Sequence, residues 1–450
     1  MSPSAAKPKT HAAAAQPLPD GLSETLQKLG YSTLNPLQQK AVAEGYLEAP
    51  RTLVSAPTAS GKTLLALLSI TRHFEQSKTG VFYVVPLRAL ASEKYREFKT
   101  ALSSFGLTVG ISTGDFDSNS PNLQEYDVVL VTSEKLDSLL RHDRSWLERI
   151  GLVVLDEVHL IGDGSRGATL EVVLTKLKNA GTKILALSAT IPNDQEFADW
   201  LSAKLVQSSY RPTPLLMGLC DGKNLYMEDE SVTPLKGLAA KALCEKALAE
   251  KNGKGQGIFF VSTRRFTESL ARQLAPTTAL FLTAEEKTQC AVLAQRALRT
   301  FATPTAQCKS LSESLQSGVA FHHAGLPQKQ RDLIEDGFRE HRCLKVLCAT
   351  TTLAAGLDLP ASWVIVRDTK RFNGSYSEHI PKIELCQMAG RAGRPRFDAK
   401  GTAVIMCQPY EIGAVRDKYI LGELEKIYSQ LSAEPSLRSH ALGLLASGYA

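Results

Sequence analysis

The first 219 residues of the sequence contain no cysteine, and the eight cysteines that follow form no Cys-x-x-Cys pair. Without clustered thiols, a zinc ribbon, a disulfide framework or an iron–sulfur cluster in the first half is not expected. No apolar run approaches the ~20 residues that a membrane span requires, and the N-terminus lacks the hydrophobic core of a signal peptide. These absences predict a cytoplasmic protein, away from membranes, whose thiols are reduced and mostly buried.

The charge balance is only mildly basic. The net charge is +6 and the pI is about 8.8, which permits a polyanionic partner without demanding one. The 450 residues, 43% hydrophobic and 22% charged, are sufficient to bury the cores of two or three domains. Residues 1–18 are rich in Ala, Pro, Ser and Lys, which predicts a disordered tail. A basic arm for nucleic acid, built on Lys7 and Lys9, is the alternative.

From Leu22 onward, short β-branched runs alternate with longer amphipathic stretches. The runs are apolar throughout, so each predicts a strand buried on both faces of a parallel sheet. Because the pattern restarts after residue 214, we predict two doubly wound α/β domains, residues 19–210 and 211–410, and a helical third unit, residues 411–450. The predicted strands are Thr52–Ser55, Val81–Val85, Val128–Val131, Leu152–Leu155, Lys183–Leu187, Gly257–Val261, Val319–Phe321, Lys345–Cys348, Trp363–Val366 and Ala403–Met406.

The first of these strands leads into a phosphate-binding pattern. A loop between a strand and a helix presents backbone N–H groups and a helix N-terminus to phosphate. Lys62 is placed to reach the β- and γ-phosphates of a nucleoside triphosphate, and Thr63 to bind Mg²⁺. A degenerate loop is the alternative, since the strict pattern begins with glycine, but the strand–loop–helix context disfavours it. The predicted nucleotide-binding residues are Ala56, Pro57, Thr58, Ala59, Ser60, Gly61, Lys62 and Thr63.

Two carboxylates directly follow the apolar run Leu152–Leu155. The carboxyl ends of strands in an open parallel sheet face the ligand crevice. Asp156 is therefore suited to bind Mg²⁺, and Glu157 to orient and deprotonate a water molecule. Two surface acids at a strand end are the alternative, which a phosphate loop in the same predicted domain disfavours.

Two arginines near the end of the second predicted domain complete the pattern. In the segment Gln387–Arg394, Arg391 and Arg394 are three residues apart, and on a helix both would point the same way. Guanidinium groups suit the charge of a transferring phosphoryl group, and an arginine finger is worth ~10³–10⁵ in rate. They can meet a nucleotide held by the first domain only if the two domains close around it. A solvated basic helix start is the alternative. The predicted ligands are ATP and Mg²⁺.

In this order along the chain, the motifs resemble those of superfamily 2 DExH helicases of the Ski-like branch. The resemblance is closest to the archaeal ATP-dependent DNA repair helicases, relatives of the helicase part of polymerase theta, and it covers about residues 20–430. It implies an α/β fold of two tandem RecA-like domains of the P-loop NTPase type, with a short helical C-terminal segment. It also implies that catalysis depends on Lys62, Asp156, Glu157, Gln387, Arg391 and Arg394.

Further short motifs gain a function through this resemblance, although singly they would be read as ordinary turn or cap chemistry. Asn35-Pro-Leu-Gln38 resembles a segment that reads adenine through its glutamine, Gln38. Ser188-Ala-Thr190 is similar to the motif that couples hydrolysis to strand movement. Residues 349–358 resemble a motif that touches nucleotide and strand, with Gly356 and Asp358 on the nucleotide. The implied nucleic-acid contacts are Arg88, Thr113, Gly114, Thr132, Ser262, Arg264, His323 and Thr352.

The sequence departs from the family pattern in three places. Ala59 stands where many relatives have glycine, which would stiffen the phosphate loop. Phe372–Glu378 lies where relatives carry a strand-separating β-hairpin; Asn373-Gly374 is a good turn signal, yet the segment is shorter. Residues 436–450 resemble the opening of a winged-helix domain. Because relatives continue through that domain and a helical ratchet, we expect a fragment or a naturally shortened member.

The main hypothesis is an ATP-driven translocase that moves 3′ to 5′ on single-stranded DNA and unwinds or remodels duplexes in DNA repair or replication restart. An RNA helicase of the same branch is the first alternative, because phosphate contacts do not separate RNA from DNA. A non-catalytic clamp is the second, and it predicts damage to catalytic residues that are all present. The expected partners are single-stranded and branched DNA, and the expected form is a monomer. Nucleoid association is expected in an archaeon and a nuclear location in a eukaryote.

Overall fold

The structure, a computed structural model, describes residues 21–114, 123–143, 145–351, 353, 359–372, 375–395, 397–446 and 448. Most of them form two α/β domains in tandem, each built on a mainly parallel sheet. The strands are β1 (Arg51–Ser55), β2 (Gly80–Val85), β3 (Val109–Ser112), β4 (Val128–Thr132), β5 (Ile150–Leu155), β6 (Lys183–Ser188), β7 (Lys204–Gln207), β8 (Leu215–Cys220), β9 (Asn224–Met227), β10 (Val232–Pro234), β11 (Gly257–Phe260), β12 (Val319–His322), β13 (Val346–Ala349), β14 (Trp363–Val366), β15 (Lys370–Phe372), β16 (Ser377–His379) and β17 (Gly401–Met406).

Helices connect the strands and cover the sheets. The α-helices of the first domain are Leu22–Lys28, Pro36–Ala43, Lys62–Gln76, Arg88–Ser103, Ser133–His142, Trp146–Arg149, Gly167–Asn179 and Asp194–Leu201. Those that follow are Ala239–Gly253, Arg264–Ala279, Ala284–Leu298, Ala306–Gln316, Gln328–Arg339, Lys382–Ala389, Ile412–Val415 and Glu434–Ala446. Short 3₁₀ segments lie at Leu123–Glu125, Val158–Gly162, Pro409–Glu411 and Gln430–Ser432, and a π-helical turn spans Arg416–Leu421.

The first sheet has the strand order β3-β4-β2-β5-β6-β1-β7, and all of its pairs are parallel. Successive strand residues enter two separate cores: Val54 and Tyr83 face one, whereas Leu53 and Phe82 face the other. Because side chains alternate across a strand, helices must cover both faces of this sheet. The predicted doubly wound α/β domain is confirmed.

The second sheet has the order β10-β9-β8-β17-β14-β11-β13-β12. The six neighbouring strands β8, β17, β14, β11, β13 and β12 pair in parallel. At the β8 edge, β9 and β10 extend the sheet as antiparallel strands. A separate two-stranded hairpin pairs β15 with β16, from Lys370 opposite His379 to Phe372 opposite Ser377. The turn residues Asn373 and Gly374 lie outside the described residues. The hairpin that the sequence indicated is present and its arms are short.

The sequence pattern misses β3, β7, β8, β9 and β10, and for β7 and β10 the reason is their position at a sheet edge. β7 and β10 are edge strands with largely exposed side chains, so they lack the continuous apolar run that marks a central strand. β9 pairs with two antiparallel neighbours and is only partly buried. The predicted strands, by contrast, have almost entirely buried side chains, and this includes β12 at the other edge of the second sheet.

The connection between the domains crosses residues 208–214, since β7 belongs to the first sheet and β8 to the second. The predicted boundary at residues 210–211 falls inside this connection. Within it, Arg211 donates hydrogen bonds to the backbone carbonyls of Gly390 and Ala392, in the second domain. The connection is thus held against the segment that contains Arg391.

The C-terminal segment after β17 is largely helical, as predicted, apart from the irregular residues 422–429, and it contacts both domains. Tyr419 is buried in the core of the second domain, where its hydroxyl donates to the carbonyl of Ile380 at 2.8 Å. Ile427 packs against a core of the first domain, and the side-chain amide of Asn193 donates to its carbonyl at 2.9 Å. The segment therefore links the two domains from outside the interdomain cleft.

The cysteines carry no sign of a metal site or cross-link. All eight are free thiols and six of them are buried, in line with the prediction of mostly buried thiols. Within the described ranges, no helix has both the length and the apolar character needed to cross a bilayer.

Candidate functional site

The phosphate-binding pattern forms a loop between β1 and the helix Lys62–Gln76. The ammonium group of Lys62 lies 2.8 Å from the carbonyl oxygen of Ala56 and 3.0 Å from that of Pro57, so the loop folds around it. Burial lowers the pKa of this ammonium group, the Glu157 and Asp156 carboxylates oppose that effect, and the charge of Arg391 adds to it. A phosphate oxygen would replace the carbonyl partners with a charged one, which forms a stronger hydrogen bond.

Hydrogen bonds also hold the phosphate loop in place from the segment to which the resemblance assigned the recognition of adenine. The side-chain amide of Asn35 donates to the carbonyl of Ser60, and that of Gln38 donates to the carbonyl of Gly61, both at 2.9 Å. The Gln38 side-chain oxygen accepts from the Asn35 N–H, closing a capping box on the helix Pro36–Ala43. Adenine reading by Gln38 stays a prediction; in this structure its amide positions the phosphate loop.

Two residues of the loop have left-handed backbone conformations. Gly61 has φ +89°, which glycine adopts without strain. Ala59 has φ 63°, a conformation that costs a residue with a Cβ atom about 1–2 kcal/mol. Ala59 therefore adds local strain to the loop, and the expected stiffening of the loop stays a prediction.

The acidic pair lies at the carboxyl end of β5, beside the loop. Asp156 accepts a hydrogen bond from the Tyr83 hydroxyl at 2.6 Å and one from the Glu157 N–H at 3.0 Å, which fixes both carboxylate oxygens. Burial raises the pKa of Asp156, and the Glu157 charge raises it further, whereas Lys94 opposes them. Glu157 has φ 52°, a left-handed conformation of the kind that costs about 1–3 kcal/mol and clusters at functional sites.

The predicted Mg²⁺ ligands fit a magnesium site. Thr63 offers a hydroxyl oxygen and Asp156 a fixed carboxylate, and both line one cleft with the phosphate loop. Mg²⁺ is usually held by one or two such oxygen ligands together with substrate phosphates and water. Across the described residues there is no cluster of three or more His, Cys, Asp or Glu side chains that would instead indicate a self-contained metal site.

His159 links the acidic motif to the second domain. Its Nδ1 accepts from the Ala189 N–H at 3.2 Å, and the side-chain amide of Gln387 contacts its Nε2. Burial lowers the pKa of His159 to about 3, so the ring is neutral at neutral pH. Because Nδ1 accepts, Nε2 carries the proton, and it can donate to Gln387 when the amide oxygen faces it. This contact joins three predicted motifs across the domain boundary.

The two arginines do not share a helix face, and this corrects the prediction. The helix Lys382–Ala389 ends before either arginine, so the i,i+3 geometry does not apply. Arg391 lines the cleft with Lys62 and Asp156. Arg394 is 5% exposed and turns away: it binds the Asp398 carboxylate through three N–H groups at 2.7–3.0 Å and donates to Gln256 at 2.8 Å. Arg394 is part of the second domain's interior, and its catalytic role stays a prediction.

The cleft between the domains brings most of the predicted nucleotide residues together. Residues of both domains line it, from the phosphate loop and the acidic pair of the first domain to Arg391 of the second. A Cβ atom on Gly390 would lie 3.2 Å from Thr58, so the second domain already approaches the phosphate loop closely. Ala56 and Pro57 begin the loop and their carbonyl groups contact Lys62, whereas Gly356 and Asp358 lie outside the described residues. The cleft is lined by Thr58, Ala59, Ser60, Gly61, Lys62, Thr63, Leu90, Lys94, Asp156, Glu157, Pro360, Arg391 and Pro395.

The predicted nucleic-acid contacts of the first domain lie at the carboxyl ends of β2, β3 and β4, on the side of the sheet away from β1. Arg88 is exposed at the start of the helix Arg88–Ser103, and Thr113 and Gly114 follow β3. Thr132 is different: it is buried, and its hydroxyl caps the helix Ser133–His142 by accepting from the Lys135 N–H. The Thr132 side chain is therefore not available to contact a nucleic-acid strand in this conformation.

The predicted contacts of the second domain follow β11, β12 and β13. Arg264 is exposed, and the Ser262 hydroxyl donates to the Asp368 carboxylate at 3.1 Å. His323 is 1% exposed and stacks on Phe321, so its side chain is not available to a strand in this conformation. Thr352 lies outside the described residues.

Three residues at the site were missed from sequence: Tyr83, Lys94 and His159. Tyr83 and Lys94 belong to an ordinary apolar strand and an ordinary amphipathic helix, and no local pattern marks them. His159 follows the acidic pair closely in the sequence, and no local pattern assigns it a role. Its contacts come from residues 30 and 228 positions away in the chain, which only the fold brings together.

Fold and site together define a nucleotide-binding protein with two RecA-like domains. The family profile described as DEAD/DEAH box helicase matches residues 35–197, and the one described as helicase conserved C-terminal domain matches residues 278–396. The chain therefore carries the paired domains of a superfamily 2 DEAD/DEAH-type helicase, as the motifs predicted.

The chain is similar to several archaeal proteins named ATP-dependent DNA helicase Hel308. It is 44% identical to that of Methanocella arvoryzae over 447 residues, which are 96% of this chain and 59% of the relative. The identity is 39% with the protein of Methanococcus vannielii, over 94% of this chain and 57% of the relative. The identity is 42% with the protein of Pyrococcus horikoshii, over 95% of this chain and 58% of the relative. The chain thus spans somewhat more than half the length of these relatives.

Proposed function

We propose that this chain is the motor of an ATP-dependent DNA helicase, which hydrolyses ATP to move on single-stranded DNA and to separate or remodel duplexes. The observation that carries the proposal is the cleft in which Arg391, from the second domain, lines the same space as Lys62 and Asp156 of the first. A nucleotide bound there would touch both domains, so its hydrolysis would change their relative position. The similarity to proteins named DNA helicases supports DNA rather than RNA as the substrate.

In the proposed reaction, the phosphate loop and the Lys62 ammonium group bind the β- and γ-phosphates of ATP. Thr63 and Asp156 would hold Mg²⁺, which when bound would supply positive charge next to the phosphates. Glu157 orients the attacking water and accepts its proton. Arg391 stabilises the charge on the transferring group, the role in which an arginine is worth ~10³–10⁵ in rate. We assign this role to Arg391 rather than Arg394, since Arg394 is engaged with Asp398.

Movement along a strand would follow from alternate grips by the two domains. Arg88 and Arg264 are exposed at the carboxyl edges of the first and second sheets, where each could bind the phosphodiester backbone. The contact between His159 and Gln387 lies between the acidic motif and the second domain, so it can transmit the state of the nucleotide. We propose 3′ to 5′ movement, action on single-stranded and branched DNA, a monomer and a cytoplasmic, nucleoid-associated location, as extensions of the same assignment.

The variant Glu157→Gln tests the assigned base. We expect unchanged affinity for a fluorescent ATP analogue and a turnover stimulated by single-stranded DNA that is lower by about 10²–10⁴-fold. Glu148→Gln, an exposed carboxamide substitution in the same domain, is the matched control and should behave as the unaltered chain. Unchanged turnover in Glu157→Gln would rule out the base. A non-catalytic clamp predicts no strand-stimulated hydrolysis in the unaltered chain at all.

Strand displacement distinguishes the nucleic-acid alternatives. DNA and RNA duplexes of matched sequence, each with a 3′ or a 5′ single-stranded tail, should be compared at one salt concentration, because phosphate contacts make affinity depend on salt. We expect ATP-dependent displacement of the 3′-tailed DNA substrate. Preference for RNA would support the alternative helicase, and preference for a 5′ tail would overturn the polarity.

A further inference from the structure

Lys94 is a buried cation at the metal side of the cleft that the proposed mechanism does not use. It lies in the middle of the helix Arg88–Ser103, with a side chain that is 11% exposed. Its ammonium group donates to the Thr63 hydroxyl oxygen at 2.9 Å and to the Glu97 carboxylate at 2.8 Å. The hydroxyl that would bind Mg²⁺ is therefore the partner of a protein cation in this structure.

The surroundings explain why a cation is held there. Asp156 and Glu157 are adjacent carboxylates in the same cleft, and Asp156 is buried. Lys94 lines the same cleft as both carboxylates. A buried charge without a partner is costly, so a nearby cation stabilises the acidic pair.

We propose that Lys94 is a placeholder for the divalent cation: its ammonium group occupies the position beside Thr63 when no nucleotide is bound, and it must yield when Mg²⁺ and nucleotide bind. The proposal rests on the proposed function and adds a residue to its metal site. A divalent ion bound to the Thr63 oxygen would lie within a few ångströms of Lys94, where two positive charges repel strongly at low dielectric.

The helix offers the displaced side chain another partner and connects it to the rest of the motor. Glu97, one turn along, is partly exposed and already holds the same ammonium group. From the same helix, Glu93 pairs with Arg339 at 3.1 Å and Arg96 with Asp332 at 3.4 Å, both in the second domain. Release of Lys94 would therefore act on a helix that also contacts the second domain.

The competing explanation is a permanent ion pair between Lys94 and Glu97 that only stabilises the helix. The two explanations predict different Mg²⁺ dependence. A placeholder competes with the metal, so its removal makes Mg²⁺ bind more tightly; a structural pair leaves the Mg²⁺ requirement unchanged. The difference is measured on nucleotide binding and does not require hydrolysis.

The experiment titrates Mg²⁺ against the full chain with a fluorescent ADP analogue and no DNA, and records the Mg²⁺ concentration at half-maximal binding. We expect this midpoint to fall by at least about threefold in Lys94→Met, and in Lys94→Gln should the methionine variant fail to fold. Lys94→Arg, which keeps the charge, should stay close to the unaltered chain. Lys99→Met removes an exposed lysine from the same helix and should also leave the midpoint unchanged.

Thermal unfolding in EDTA supplies a second measurement. Without the placeholder, the acidic pair lacks its cation, so Lys94→Met should unfold at a lower temperature in EDTA and regain stability with Mg²⁺ and ADP. An unchanged or higher Mg²⁺ midpoint in both uncharged variants would overturn the placeholder while leaving the proposed function intact. If the unaltered chain binds no nucleotide in the presence of Mg²⁺, the proposed function itself fails.

Discussion

The substitution Gly61→Ala tests how the phosphate loop is held in shape. Gly61 has φ +89°, and a Cβ atom there would lie 2.7 Å from the amide nitrogens of both Asn35 and Gln38. Those amides donate the hydrogen bonds that hold the loop carbonyls of Ser60 and Gly61. An added methyl group must therefore strain the backbone and displace both donors.

The magnitude follows from these contacts. A left-handed conformation costs a residue with a Cβ about 1–2 kcal/mol, and two lost hydrogen bonds cost about 0.5–1.5 kcal/mol each. Replacing glycine also restricts the unfolded chain, which returns about 0.4–1 kcal/mol. The net expected loss is about 3 kcal/mol. Ala59→Gly is the counterpart: relief of strain at φ 63°, less the entropy of glycine, should stabilise the protein by about 0.5–1 kcal/mol.

Equilibrium denaturation of both variants, with titration of a fluorescent nucleotide, measures these effects. Gly61→Ala should lose stability and nucleotide affinity together, whereas Ala59→Gly should gain stability and keep its affinity. A loss below about 0.5 kcal/mol in Gly61→Ala, within the range of ordinary surface substitutions, would refute the reasoning. The same conclusion would follow if the two variants changed stability in the same direction.

Three further substitutions probe the neighbouring contacts. Arg394→Ala leaves the buried Asp398 carboxylate without its partner, so the free energy of unfolding, measured in denaturant, should fall by about 3–5 kcal/mol. A stable variant that lost only ATP turnover would instead support a catalytic role for Arg394. Tyr83→Phe removes the hydroxyl that donates a hydrogen bond to Asp156. It should lower the free energy of unfolding by about 1–3 kcal/mol and weaken Mg²⁺-dependent nucleotide binding. Unchanged Mg²⁺ dependence would contradict the role of Tyr83 in positioning Asp156. Gln387→Leu removes the partner of His159 and should reduce stimulation of the ATPase by single-stranded DNA more than its basal rate; equal loss of both rates would show no coupling.

The parts of the fold that follow from the sequence are those encoded locally. Central strands such as β5 are continuous apolar runs, and a parallel sheet covered on both faces needs that pattern. The phosphate loop was found because its chemistry requires particular residues at fixed spacing between a strand and a helix. Edge strands such as β7 and β10 were not predicted, because a strand with solvent-facing side chains lacks a continuous apolar run.

The parts of the site that escaped prediction depend on distant contacts. The orientation of Arg394 is set by Asp398 and by Gln256, which lies 138 residues away in the chain. Lys94 meets Thr63 only because a helix from the next βα unit packs beside the phosphate loop. Spacing alone had placed both arginines on one helix, and the actual end of the helix at Ala389 separates them. Local patterns identify the chemistry of a site, and the fold decides which side chains face it.

The most direct test of the account is the position of Arg391 in a structure of the chain bound to Mg²⁺ and a non-hydrolysable ATP analogue. If the nucleotide is shared by two domains, the Arg391 guanidinium should lie about 3 Å from an oxygen of the terminal phosphate, while Lys62 contacts the same group from the other side. A phosphate loop filled with nucleotide and Arg391 beyond hydrogen-bond reach in the closed form would contradict the account.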